Sequence, residues 1–298
     1  MQRFKNILFV NESGSSKADT PRAAVELARR NGARLTLCDV AYELARSFTQ
    51  LKQSLERLRR QRIEALLADI DTDGVDIDFV LLDGAPFLEI VHQVKRGQHD
   101  LVIKNSEPGG LSDTSFGAND MHLMRQCPCP LWIARSDGFG SHRAIVAALD
   151  VDPNVPANDE LNELVLDLAT SLARQSGCGV HVVHGVWMPG ERTMRGLNPE
   201  TDEPLAQQHQ DRRALLTDLL AQRNLDCLDL QVHLEHARPA DYVLDVASRV
   251  GADLVVLGTV ARTGVPGFLI GNTAERILSR LRCSALAVKP AGFLTPVT

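Results

Sequence analysis

A chain of 298 residues, 44% apolar and 23% charged, exceeds what one ordinary hydrophobic core organises, so two domains of about 150 residues each are expected. The composition is that of a globular protein with no long disordered tail, and a formal charge of −6 lacks the basic footprint of a direct nucleic-acid binder. No apolar run reaches the about 18 residues that cross a bilayer, and residues 1–5 lead straight into an apolar stretch, so a cytoplasmic protein without a membrane partner is expected.

Aromatic residues are scarce at 4%, and a core of Leu, Val, Ala and Ile favours buried parallel strands covered by helices. NILFVNES (6–13) reads as a first strand, followed by a helix over 21–30 with Ala23, Ala24, Leu27 and Ala28 on one face. Pro21 suits its start and Asn31-Gly32 its stop. A strand (LTLCDVA, 35–41), a polar helix, a third strand (DIDFVLL, 76–82), a short helix and DLVIKN (100–105) come next. HLMRQCPCPLWIA (122–134) supplies the last helix turn and a fifth strand.

After a Gly- and Ser-rich stretch at 136–141 the pattern recurs, first as AIVAALDVD (144–152). A helix then begins near Asn158, its core face marked by Leu161, Leu164, Val165, Leu168, Ala169, Leu172 and Ala173. VHVVHGV (180–186), LDLQVHL (228–234) and DLVVLG (253–258) follow, and RILSRLRCSALAV (276–288) aligns with 122–134 so that Cys129 falls on Cys283. The fold class is α/β: two tandem, doubly wound, open parallel sheets of five strands and four helices, with domains at 1–138 and 139–298.

The six cysteines are too scattered for a disulfide framework and read as reduced thiols. Cys127-Pro-Cys129 lacks the two further ligands zinc needs beside it. His181 and His184, like His233 and His236, stand three apart on a strand and face opposite ways, so neither pair chelates; they read as scattered surface histidines, with His184 and His236 lining one pocket as the alternative. No Ser/His/Asp set, Walker lysine or paired carboxylates appear, so neither a catalytic set nor a metal site is expected. Segment 188–204, rich in Pro, Gly and charge, has no counterpart in the first copy and reads as a mobile loop that can serve as a lid.

A phosphate needs backbone N–H donors, close approach and a positive helix end. Gly271-Asn272-Thr273 stands at a helix start, and Gly258 at the C-terminal edge of a strand where such sheets bind ligands. The bland alternatives stay open: Asn272 as an N-cap with Glu275 three residues on, Gly258 as relief for a tight turn.

The run GTVARTGVPGFLIGNTAERIL (258–278) is similar to the signature of universal stress proteins, in which a strand runs into Gly-x-x-Gly, nine residues and a Gly followed by Ser, Thr or Asn. The whole chain, to its tail Leu294-Thr295-Pro296-Val297, resembles the tandem form of that family. The resemblance implies a strand order of 3-2-1-4-5 and ATP or another adenine nucleotide held by Gly258, Thr259, Ala261, Arg262, Gly271, Asn272 and Thr273. Asp150 would contact the adenosine part, unless it only caps the turn Asp-Val-Asp-Pro-Asn. It further implies a role in stress survival and resistance to DNA damage, through a binding module without fast catalysis. A ligand-free scaffold for protein partners is the alternative, and slow ATP hydrolysis comes third.

Ala261 departs from the signature, because a Cβ hinders left-handed backbone by about 1–2 kcal/mol and crowds a phosphate; Gly264, Gly267 and Arg262 are the compensations available. The first copy has Glu12 in the place of Asp150 but Asn105, Glu107 and Pro108 where the loop should start, with only Gly117 surviving, and is expected not to bind nucleotide. Fifth strands pair between subunits in single-domain relatives, so Leu131–Ala134 and 285–288 are expected to pair antiparallel, with Trp132 filling the junction. The chain would then be an intramolecular pseudo-dimer, able to form a further homodimer.

Overall fold

The computed structural model describes residues 3–11, 19–42, 49–107, 116–135, 142–155, 158–187, 202–259 and 270–297. The first copy runs β1 (Asn6–Asn11), α1 (Asp19–Asn31), β2 (Arg34–Ala41), α2 (Thr49–Leu67), β3 (Ile77–Asp83), α3 (Pro86–Gly97), β4 (Leu101–Asn105), α4 (Ala118–Gln126) and β5 (Leu131–Ala134). The second repeats it as β6 (Ala144–Ala148), α5 (Asp159–Ser176), β7 (Gly179–Val186), α6 (Asp202–Ala221), β8 (Leu230–His236), α7 (Pro239–Arg249), β9 (Leu254–Gly258), α8 (Asn272–Leu278) and β10 (Ser284–Val288).

Each copy has the expected 3-2-1-4-5 order, but the two sheets are not separate. They merge into one ten-stranded sheet, β3-β2-β1-β4-β5-β10-β9-β6-β7-β8. Neighbours within a copy run parallel, whereas β5 and β10 meet antiparallel with Ile133 opposite Ala285, Trp132 opposite Leu286 and Leu131 opposite Ala287. Every residue of β4, β5 and β10 is buried, because helices cover both faces and their neighbours cover both edges.

The apolar core is divided by sheet face and not by copy. One layer joins Phe9 and Leu37 to Trp132, Leu286, Ile145 and Leu166, and the other joins Val10 and Leu123 to Ile133, Ala285 and Val255. Trp132, 2% exposed, sits where the copies meet and stacks on His142 with ring centroids 5.6 Å apart. The same device anchors the first strand of each copy: Asp100 accepts the N–H of Lys5 at 2.6 Å and of Asn6 at 3.0 Å, and Asp253 accepts that of Arg143 at 2.9 Å. Among the described residues no helix is long and apolar enough to cross a membrane.

The junction makes a direct prediction. Ile133→Pro removes an N–H at the seam and forces a ring into a strand paired on both sides, so urea denaturation should show a loss of about 2 kcal/mol or more, whereas Ile133→Val should cost about 1 kcal/mol.

Candidate functional site

A cavity of about 750 Å³ opens at the C-terminal ends of β6, β7 and β9. It lies where the strand order reverses, β6 standing between β7 and β9, which is the general ligand position of doubly wound sheets. Asp150, Gly258, Gly271, Asn272 and Thr273 all line it.

Asp150 lies beyond the end of β6, which stops at Ala148 and not at residue 152 as the apolar run suggested. The start of α5 takes over the backbone there: the Asp150 N–H donates to Asn162 Oδ1 at 2.9 Å, and Asn162 Nδ2 returns a bond to the Asp150 carbonyl at 3.0 Å. Asn158 Nδ2 donates to Asp150 Oδ2 at 3.1 Å. Asp152 caps the turn, its Oδ1 accepting the Asn154 N–H at 3.0 Å, and the carboxylate of Asp150 lines the cavity.

Gly258 does not relieve a turn, since its φ is not left-handed. A Cβ there would stand 2.5 Å from Leu161 Cδ2, so the side chain of Leu161 on α5 packs directly over the glycine. Gly271, and not Asn272, is the N-cap of α8, with φ −61 and ψ 141 and no side-chain cap. Asn272 is the first helical residue, and Glu275, the supposed partner in a capping box, is bonded to Arg125. The amides of this first turn have no carbonyl behind them in the helix.

Thr259 is not among the lining residues. It is fully buried, its carbonyl accepts the Gly271 N–H at 3.1 Å, and its Oγ1 accepts a bond from Lys289 Nζ at 2.5 Å. Ala261, Arg262, Gly264 and Gly267 lie outside the described residues, as do Glu12, Pro108 and 188–201; Asp202–Ala221 is helix.

Among the described residues two cations, Arg125 and Arg212, line the cavity, and each already has a carboxylate. Arg212 pairs with Asp152 at 3.1 Å, and Arg125, which comes from α4 of the first copy, pairs with Glu275. The wall is therefore built by both copies.

Of the four histidines, His236 is exposed and His233 half-buried, but the other two are off the surface. His181 and His184 are 9% and 5% exposed; His184 lines the cavity with Nδ1 3.1 Å from the Leu149 carbonyl, so Nδ1 is the donor. His236 does not join it and packs on His209, ring centroids 5.2 Å apart. His181 Nδ1 lies 3.0 Å from His233 Nε2, a contact between neighbouring strands, and burial draws both imidazoles down.

The matching place in the first copy is filled by the chain itself. Glu107 Oε2 accepts the Asn119 N–H at 3.2 Å and Oε1 accepts Asn119 Nδ2 at 2.6 Å, so a carboxylate sits on the first turn of α4. A Cβ on Gly117 would fall 2.2 Å from Glu107 Oε2. Behind it Lys104 and Asp120, both fully buried, form an ion pair where the second copy has Leu257 and Ala274. Asn105, in the place of Gly258, accepts a 2.7 Å bond from Thr20.

The universal stress protein family matches residues 3–135 and, a second time, residues 143–289. The chain belongs to the universal stress protein family. It is a tandem member, similar along its full length to universal stress protein E of Salmonella typhi, at 30% identity over 310 residues that cover 100% of this chain and 98% of the relative. Universal stress protein E of Escherichia coli strain K12 is 28% identical over 309 residues, with the same coverage. In fold it resembles the crystal structure of a Pseudomonas aeruginosa UCBPP-PA14 protein, with a TM-score of 0.73 at 23% identity over 97% of this chain and 94% of that one.

One feature of this universal stress protein escaped sequence reasoning although a signal existed: Lys289, a charge directly after an apolar strand. It is 6% exposed and bonds Met124 of the first copy and Thr259 of the second. Burial pulls its pKa down to about 8, weakly opposed by Cys127. Below that value the ammonium is charged in both folded and unfolded states, and the folded state bears the full cost of burying it. Between about 8 and the unfolded value the unfolded state binds more protons, so stability rises with pH. Against Lys289→Met, which lacks the group, the natural protein should gain about 2–3 kcal/mol between about pH 7 and about pH 10, measured by urea denaturation at both.

Proposed function

We propose that the second copy binds ATP or another adenine nucleotide in the cavity, and that the protein acts as a cytoplasmic, ligand-responsive module without fast catalysis. Its service would be stress survival, including resistance to DNA damage, exerted through protein partners. The observation that carries this reading is the contrast between copies: one switch-point cavity is open, and the other is closed by Glu107, Lys104 and Asp120. The open volume, about 750 Å³, lies within the about 300–1,000 Å³ usual for small-ligand sites.

The residues present suit a nucleotide. Asp150, held by Asn158, can accept hydrogen bonds from ribose hydroxyls or an amino group. The Asn272 and Thr273 amides, approached past Gly271, can donate to phosphate oxygens. Arg125 can turn from Glu275, which is 44% exposed, to a phosphate. A second reading, a ligand-free scaffold, has one observation in its favour: Arg125 and Arg212 are already balanced by Glu275 and Asp152.

Calorimetric titration of the full chain decides between them. ATP should bind at one site per chain, and Gly271→Val should abolish binding while circular dichroism stays unchanged, because a branched side chain blocks the approach to the amides. Arg125→Ala should weaken ATP about tenfold and leave adenosine unaffected. No heat with any adenine nucleotide would leave the scaffold reading standing.

A further inference from the structure

We propose that Cys127 and Cys129 are a modification site, a dithiol that closes reversibly to a disulfide when the protein meets a small hydroperoxide. The two sulfurs are 3.7 Å apart, in contact but unbonded, and a disulfide at about 2.05 Å would join them within one short loop. Both are buried, at 1% and 8% exposure, beside the seam between the copies, where Cys127 ends α4 and Cys129 precedes β5.

The pair is chemically unequal. A hydrogen bond from Cys129 lowers the Cys127 thiol, burial opposes, and the charge of Lys289 lowers it further. The Cys129 thiol is pushed well up by the same bond and by burial. We assign Cys127, the sulfur on which the Lys289 charge acts, as the attacking one and Cys129 as the resolving one. A metal is disfavoured: among the described residues no group of three or more His, Cys, Asp or Glu could hold one, and the Lys289 amine beside the pair repels a cation when protonated.

The Cys127 sulfur gives an electron pair to one peroxide oxygen, the O–O bond breaks, and hydroxide leaves and takes up a proton. The resulting sulfenic acid is attacked by the Cys129 sulfur; the S–S bond forms, the S–O bond breaks, and the second oxygen leaves as water with the thiol proton. Two electrons from the dithiol thus reduce one peroxide to two waters. Burial restricts the oxidant to a molecule as small as hydrogen peroxide and excludes a bulky disulfide such as oxidised glutathione.

The full chain is exposed to hydrogen peroxide, unfolded in N-ethylmaleimide and mapped by peptide mass. The peptide holding Cys127 and Cys129 should lack two hydrogens and carry no maleimide, dithiothreitol should restore both thiols, and oxidised glutathione should leave them reduced. In Cys129→Ser, dimedone should label Cys127 as a sulfenic acid, and absence of that label overturns its assignment as the attacking sulfur. The proposal fails if both sulfurs stay alkylatable while the exposed Cys227 is oxidised, or if either links to a cysteine elsewhere.

Discussion

The antiparallel pairing of β5 with β10 is the constraint on which the rest of this molecule depends. Apart, Leu131–Ala134 and Ser284–Val288 would each expose a row of unpaired N–H and C=O groups on an apolar strand, a template for aggregation. Together they turn two open sheets into one and let both core layers run through the junction, so neither copy buries its apolar surface alone. The seam also brings the end of α4 beside α8 and β10. There Arg125 meets Glu275, Lys289 meets Met124, and the Arg135 N–H donates to Ser284 Oγ at 3.1 Å.

The two five-strand repeats were legible as an apolar pattern taken several residues at a time, whereas the strand order came from the family resemblance, and the seam from that resemblance together with the need to cover an apolar edge. The ends of elements were not. The β6 run stays apolar to Leu149 and resumes at Val151, yet Asn162 captures the Asp150 backbone and draws it off the ladder, a competition no local pattern records. Asn272 and Glu275 have the spacing of a cap, but Arg125, 150 residues away in sequence, holds Glu275. The histidines show the same limit. Residues three apart on a strand do face opposite ways, but His181 and His233 meet across strands, and that register is set only by sheet assembly.

The two ligand positions share a backbone and differ in what fills them. Sequence reasoning placed a carboxylate, Glu107, where a phosphate would have to come; the geometry goes further, since that carboxylate itself accepts the backbone and side-chain amides of Asn119. Lys104 was the overlooked clue, a cation in the middle of an otherwise apolar strand that must find an anion, here Asp120. A buried ion pair adds little net stability over apolar filling of the same shape, but losing one partner alone costs about 3–5 kcal/mol, so Lys104 and Asp120 depend on each other.

The pseudo-twofold axis would allow each copy to lend the other a residue from the end of its last helix, but the loan runs one way. Arg125 of the first copy stands at the cavity of the second, and the residue that aligns with Arg125 in the second copy is Ser279. A cation sent in the opposite direction would meet a position where Lys104 already balances Asp120 and where the Glu107 carboxylate already accepts the Asn119 amide. The copy whose own switch point is filled by its side chains thus lends a residue to the wall of the other, so the cavity is lined by both copies and its shape depends on the seam that joins them.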